Sequence, residues 1–140
     1  IWNKIKHHRR RRLLIVDEIW SLLQQESAAA YLYSFAKRAR KYQLGLTAIS
    51  QDVEDFLDNK YGRSIINNSA LQILLRQSTS AITKVAEAFN LTEGERLLLL
   101  ESNVGEGLLF AGNNHIALKA IGSAHEDETI TGQLVNPLGN

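Results

Sequence analysis

A chain of 140 residues with 44% hydrophobic and 22% charged residues has the composition of one globular domain with one core. A net charge of +1 excludes a surface that is a nucleic-acid field throughout, and the absence of Cys excludes a disulfide framework and a thiolate metal site. No apolar run approaches the ~20 residues of a transmembrane helix, and no apolar segment of signal-peptide type follows the charged start.

In chain order, residues 1–12 carry the basic run Lys6-His7-His8-Arg9-Arg10-Arg11-Arg12. Without interleaved aromatics, and abutting an apolar strand, it reads as a solvated end or a subunit-contact patch before a DNA- or lipid-binding one. Residues 13–17 read as a strand buried on both faces. A helix is expected over 20–43, because Ala28, Leu32, Phe35, Ala39 and Tyr42 repeat with the spacing of one buried face. Lys37, Arg38, Arg40 and Lys41 suit its C-terminal dipole, and Gly45 is the expected cap. A second short strand over 46–50 leads to Gln51, and Asp52 is placed to cap a helix through Leu57. Residues 59–69 form a polar, Gly-containing connection with some helix. A third strand spans 71–75 and ends at Arg76-Gln77. Thr79 or Ser80 can cap a helix to Phe89, and Thr92 with Glu95 fits a capping box for a helix to Leu100. Strands over 107–111 and 115–121 are joined by Gly112-Asn113-Asn114, a hairpin signal. After Gly122 come the acidic Glu126-Asp127-Glu128, expected to be a solvated turn, and a frayed tail over 132–140.

Strand–helix alternation of this kind is the pattern of an α/β fold with a mostly parallel sheet. In a parallel sheet the polar groups after each strand share one edge, where ligands bind. Asp17 and Glu18, Ser50 and Gln51, and Arg76 and Gln77 are those groups. An acid pair, an amide and a guanidinium suit phosphoryl transfer: magnesium binding, water positioning and charge neutralisation. Leu13 to Glu18, four branched apolar residues leading into two carboxylates, has the Walker B pattern; taken alone, the six residues read equally as a buried strand ending in a solvated acidic turn.

The segment Leu-Leu-Ile-Val-Asp-Glu-Ile-Trp at 13–20 resembles the Walker B segment of the large conjugation and type IV secretion ATPases, the VirB/TraC/TrwK-type motors. Arg-Lys-Tyr at 40–42 with Thr-Ala-Ile-Ser-Gln at 47–51 resembles their next helix and sensor strand. Asn-Asn-Ser at 67–69, Leu-Leu-Arg-Gln at 74–77, Leu-Thr-Glu-Gly-Glu-Arg at 91–96 and Val-Gly-Glu-Gly at 104–107, with His115 to Lys119, keep the family's order over 13–131. The resemblance implies a RecA-like P-loop NTPase three-layer fold that binds ATP and Mg2+ and works as a homo-oligomer, a hexamer. It places Asp17 over the magnesium through water, Glu18 as catalytic base, Gln51 as sensor of the γ-phosphate or attacking water, and Arg76 and Arg40 as arginines reaching a phosphate. Arg38 and Arg63 compete for that last role.

No Gly-x-x-x-x-Gly-Lys-Ser/Thr occurs in the 140 residues, so the phosphate cradle lies outside them. The chain, beginning at Ile1 without Met, is therefore expected to be a piece of a longer protein. Residues 1–131 are read as the second half of the motor domain, inactive alone, and 132–140 as a flexible tail. By analogy with RecA-like sheets, strands 46–50 and 71–75 should flank a slot for the strand that leads into the cradle. The resemblance further implies as partners the chain's own N-terminal motor half, other type IV secretion or conjugation subunits, DNA, and an inner-membrane complex. It implies a cytoplasmic location, peripheral at the inner face of the bacterial membrane.

Other readings stand beside these. A DNA translocase of the FtsK/HerA type shares the same sheet-edge groups, and a non-catalytic docking module of a secretion complex is the reading of another class. Arg40 and Arg76 can instead pair with Glu26, Glu54 or Asp55. His115 reads as a packed or paired histidine rather than a metal ligand, Trp20 as packing on the sheet edge, and Gly105 and Gly107 as hairpin geometry rather than a dinucleotide fingerprint.

Overall fold

The branched side chains after Arg11 form β1 (Arg12–Val16), and the second apolar run forms β2 (Leu44–Ala48). The two pair in parallel, with Leu14 opposite Leu46 and Val16 opposite Ala48. The computed structural model describes residues 10–123 and residue 126. Positions 6–9 of the basic run, residues 127 and 128 of the acidic turn and the 132–140 tail lie outside those described.

Three pieces, not one helix, connect β1 to β2: α1 (Trp20–Leu23), α2 (Glu26–Ala39) and a 3-10 turn (Arg40–Tyr42). Gln25 leaves the helical region at φ −98° and ψ 113° and starts α2 afresh. The break has a packing reason. Leu23 and Ala29 are both buried in one cluster with Ile19, Leu32 and Ile65. Six residues apart on a continuous helix, they would point about 120° apart. The buried face of α2 is Ala29, Leu32, Phe35 and Ala39, so its periodicity starts at Ala29 and not at Ala28. The left-handed cap falls on Gln43, with φ 54°, while the expected cap Gly45 is already in β2.

The return from β2 runs through α3 (Glu54–Leu57) and α4 (Lys60–Asn68). Asp52 does not cap α3; Val53 occupies that position without a side-chain bond. Asn59 caps α4, its Oδ1 accepting from the Tyr61 and Gly62 amides at 2.8 and 3.2 Å. The connection expected to hold some helix is thus a nine-residue helix.

The third strand, β3 (Leu71–Leu75), does not pair with β2. It pairs antiparallel with β4 (Glu106–Ala111), which pairs antiparallel with β5 (Asn114–Lys119). Among the described residues the strands therefore make one parallel pair and one antiparallel three-stranded sheet. The break falls between the two strands expected to flank a slot. The β4–β5 loop is Gly112-Asn113 alone, with Ala111 paired to Asn114 and Gly112 at φ +61°. Gly107 is required by close approach: a Cβ there would lie 2.1 Å from the Leu74 carbonyl oxygen.

Two helices cover one face of this second sheet, α5 (Ile82–Phe89) and α6 (Glu93–Glu101). Leu74, Ile82, Val85, Leu99, Leu108 and Phe110 form its core. Neither Thr79 nor Ser80 caps α5: its N-cap is Ala81, without a side-chain bond, and the turn before it is closed by Ser78, whose carbonyl accepts from Ile82 N–H and whose Oγ accepts from Ala81 N–H. The capping box at Thr92 and Glu95 forms as expected. The two halves are joined where α3 meets α5. Val53 packs against the second core, and Lys84 on α5 reaches Glu54 and Asp58 at 3.4 and 2.7 Å.

The strands are not buried on both faces. In β1, Leu14 and Val16 turn toward the helices, while Leu13 and Ile15 are 65% and 57% exposed. In β3, Leu74 enters the core, while Leu71, Ile73 and Leu75 are exposed. Among the described residues, helices cover one side of each sheet and leave the other open.

Candidate active site at the strand ends

Val16 is the last residue of β1, so Asp17 and Glu18 stand just beyond the carboxyl end of a parallel strand. The chain must reverse there, because Ile19 is fully buried two residues later. Glu18 performs the reversal in the left-handed region, at φ 48°. That conformation costs an L-residue roughly 1–2 kcal/mol. It is held by the Glu18 amide donating to Asp17 Oδ1 at 2.9 Å and by the Glu18 carbonyl accepting from the Ser21 amide and hydroxyl. Both side chains are exposed, and neither carboxylate is in an ion pair with a described residue.

Ile49 stitches this turn to the end of β2. Its amide donates to the Val16 carbonyl at 2.9 Å, and its carbonyl accepts from the Ile19 amide at 3.0 Å. The acid pair is bracketed by these two bonds. Gln51 follows two residues after Ile49, exposed and in the loop rather than at the strand exit. Before it, Ser50 Oγ donates to Asp55 Oδ2 at 2.5 Å. The structure thus brings Asp17, Glu18 and the Gln51 loop to one edge.

Arg76 is placed differently. It follows β3, which lies in the other sheet, so no strand ladder carries it to the edge of the acid pair. It is exposed, and the neighbouring Gln77 bonds back to the Leu75 and Arg76 carbonyls and to Leu99. Arg40 sits in the turn before β2, at the opposite end of the strand. Five strand residues separate the two ends by about 16 Å. Of the competing arginines, Arg63 donates through Nε to the Leu57 carbonyl, and Arg38 is exposed near the end of α2.

The acids weighed as partners for Arg40 and Arg76 are engaged elsewhere: Glu26 with Lys60, Glu54 with Lys84, and Asp55 with Ser50. His115 is a paired histidine, its Nδ1 2.6 Å from Glu95 Oε1 and its ring packed on Phe110. Trp20 opens α1, 38% exposed, and lines a groove of about 380 Å³ with Leu23, Asp52 and Asp55. Asp55 and Lys84 have places at or behind this edge that the sequence does not reveal. The Ser50–Asp55 bond crosses a turn, and Lys84 reaches across from another element.

The donor set can be tested against a nucleotide-bound cation. One Asp17 oxygen is occupied by the Glu18 amide, which leaves the other for a hard cation or its water. Among the described residues no group of three or more His, Asp or Glu could hold a metal. A magnesium bound mainly by water and phosphate oxygens needs one such carboxylate. The phosphate-binding loop has no counterpart in the sequence.

A family model, the TraG P-loop domain, matches residues 2–110. That match begins ahead of the 13–131 resemblance and ends within β4. No curated protein matches the chain. Among solved structures, VirB4 of Thermoanaerobacter pseudethanolicus is similar, with a TM-score of 0.80 and 37% identity over 89% of this chain and 35% of that one. The chain therefore spans about a third of that structure's length. The likeness identifies the α/β arrangement as part of a RecA-like P-loop NTPase fold. The family match, covering most of the sequence, and the VirB4 likeness agree with the order of motifs along the strands, and the chain belongs to the TraG P-loop domain family, of VirB4/TraG type.

Proposed function

We propose that the chain is the second half of an ATP-hydrolysing motor that powers type IV secretion or conjugative transfer. One observation carries the reading. Ile49 ties the Asp17-Glu18 turn to the Gln51 loop at the carboxyl edge of a parallel strand pair, in a chain whose family is a P-loop family. ATP with Mg2+ supplies the phosphoryl group and its charge neutralisation. Asp17 holds the cation through water, and Glu18 takes a proton from the attacking water. Gln51 senses the γ-phosphate or orients that water, and Arg76 offers positive charge to a phosphate. Arg40, a strand's length from its own acid pair, fits the edge of a neighbouring subunit better than its own.

The phosphate loop comes from the motor's N-terminal half. Its strand enters the break between β2 and β3, and its helices cover the face that leaves Leu13, Ile15 and Ile73 open. Residues 1–131 alone neither bind nor hydrolyse ATP. Homo-oligomeric assembly as a hexamer, contact with other secretion subunits and with DNA, and a peripheral position at the inner membrane complete the proposal. Among the described residues no helix is long and apolar enough to cross a membrane.

The test is Glu18→Gln in the intact motor. General-base loss is expected to lower turnover by about 10²-fold or more, with ATP affinity unchanged. Hydrolysis at the wild-type rate with nucleotide bound would remove Glu18 as the base. It would favour a docking module.

A further inference from the structure

The geometry points to Asp55 as a positioning residue for Gln51, acting through Ser50. The inference rests on the ATPase reading above and adds a residue to it. Gln51 lies in the five-residue connection 49–53 between β2 and α3, at the middle of the three-residue bridge 50–52 that its two anchors enclose. The bridge is pinned at one end by Ile49, whose backbone bonds to Val16 and Ile19 flank the acid pair. It is pinned at the other by Val53, which packs against the core of the second sheet. Between these anchors, among the described residues, the side-chain bond that runs from the bridge into α3 is Ser50 Oγ to Asp55 Oδ2. Gln51 itself makes no hydrogen bond with a described residue, so its own side chain does not fix its place. The residue before it does.

Asp55 is half-buried on the first turn of α3, in a helix of only four residues. The short helix is held from outside by Lys84, which reaches Glu54 on one side of Asp55 and Asp58 on the other. A cation on the second sheet's helix thus braces the helix whose carboxylate holds the loop of the first sheet. Loss of the Ser50–Asp55 bond frees the bridge while leaving the Ile49 bonds and the acid turn in place. The bond needs only an acceptor at position 55, since the Ser50 hydroxyl donates. Asn therefore serves where Ala does not.

The experiment measures ATP turnover and nucleotide affinity of the intact motor for Asp55→Ala, Asp55→Asn, Ser50→Ala, Gln51→Ala and the double variant Asp55→Ala/Gln51→Ala. Misplacing a catalytic group by about 1 Å can cost about 100-fold. Asp55→Ala and Ser50→Ala are expected to lower kcat by about 10- to 100-fold with ATP affinity within about two-fold of wild type. Asp55→Asn retains most of the activity. In the Gln51→Ala background, Asp55→Ala costs no further turnover, because its effect passes through Gln51. Additive losses in the double variant, or wild-type kcat in both Asp55→Ala and Ser50→Ala, overturn the positioning role. Should Gln51→Ala itself turn over at the wild-type rate, the sensor assignment fails first, and the positioning role with it.

Discussion

Glu18 holds an unusual backbone conformation for a residue with a side chain. Glycine is the residue that takes φ 48° at least cost, and Asn or Asp are its usual substitutes. A glutamate kept there is consistent with selection for its carboxylate over local ease, since strain of this kind gathers at functional sites. A second acid shows what an ordinary structural role looks like. Glu106 accepts from the Asn103 amide and side chain and from Lys119. The Asn103 backbone bond first, then the Lys119 ammonium, pull its carboxyl down to about 2. A depressed carboxyl contributes stability above its unfolded value, near 4.5, and loses it as pH falls through the folded value. Melting temperature followed from pH 5 to pH 2 should therefore fall less steeply in Glu106→Gln than in the wild type. Parallel curves would mean that the bonds to Asn103 and Lys119 do not distinguish folded from unfolded Glu106. At this scale the sequence discloses residue identity and not conformation. Asp17 and Glu18 are legible because four branched apolar residues lead into them. The left-handed turn at Glu18 is not, because it arises from Ile19 having to enter the core and bond to Ile49. Asp55 is illegible for a similar reason: only folding brings its carboxylate to Ser50.

At the scale of elements, local chemistry and tertiary packing divide the outcome. The capping box at Thr92 is readable because its two hydrogen bonds join residues three apart. The break at Gln25 is not, because it serves Leu23 and Ala29 in a cluster completed by Ile65 of α4. Ala81 rather than Thr79 or Ser80 is the N-cap of α5, and an alanine at that place carries no side-chain signal in the sequence. Glycines make the contrast measurable. A Cβ at position 107 would meet the Leu74 carbonyl oxygen at 2.1 Å and the Leu75 Cα at 3.0 Å, both backbone atoms of β3. A Cβ at Gly94, in the first turn of α6, meets nothing within 4 Å. Gly107→Ala should therefore separate β3 from β4 and cost about 2–3 kcal/mol or more. Gly94→Ala should stabilise by about 0.4–1 kcal/mol. Urea denaturation of the two variants checks both signs; a neutral Gly107→Ala would mean that the β3–β4 ladder gives way easily.

At the scale of the molecule, the sequence reads as more deeply buried than the chain is. Leu13-Leu14-Ile15-Val16 and Leu71-Gln72-Ile73-Leu74-Leu75 have the apolar content of strands covered on two sides, yet helices cover one side. An apolar run of this kind suits every surface a strand meets, including any that another part of a protein supplies. The break between β2 and β3 and the open faces of both sheets have this in common: each suits an added layer of the same protein, in agreement with a chain that spans about a third of the length of its VirB4 relative. Uncovered apolar strands with unpaired edges favour association. The isolated chain should consequently self-associate at micromolar concentration, and Ile15→Thr with Ile73→Thr should shift it toward monomer without lowering its melting temperature. Both side chains already face solvent, so their exchange removes no packing from this chain. If the motor's N-terminal half covers these faces, as proposed, the same pair should lower the melting temperature of the intact protein. Sedimentation velocity on the isolated chain and thermal unfolding of both forms make the comparison. If the double variant leaves the intact motor as stable as the wild type, the open faces are not where its N-terminal half packs.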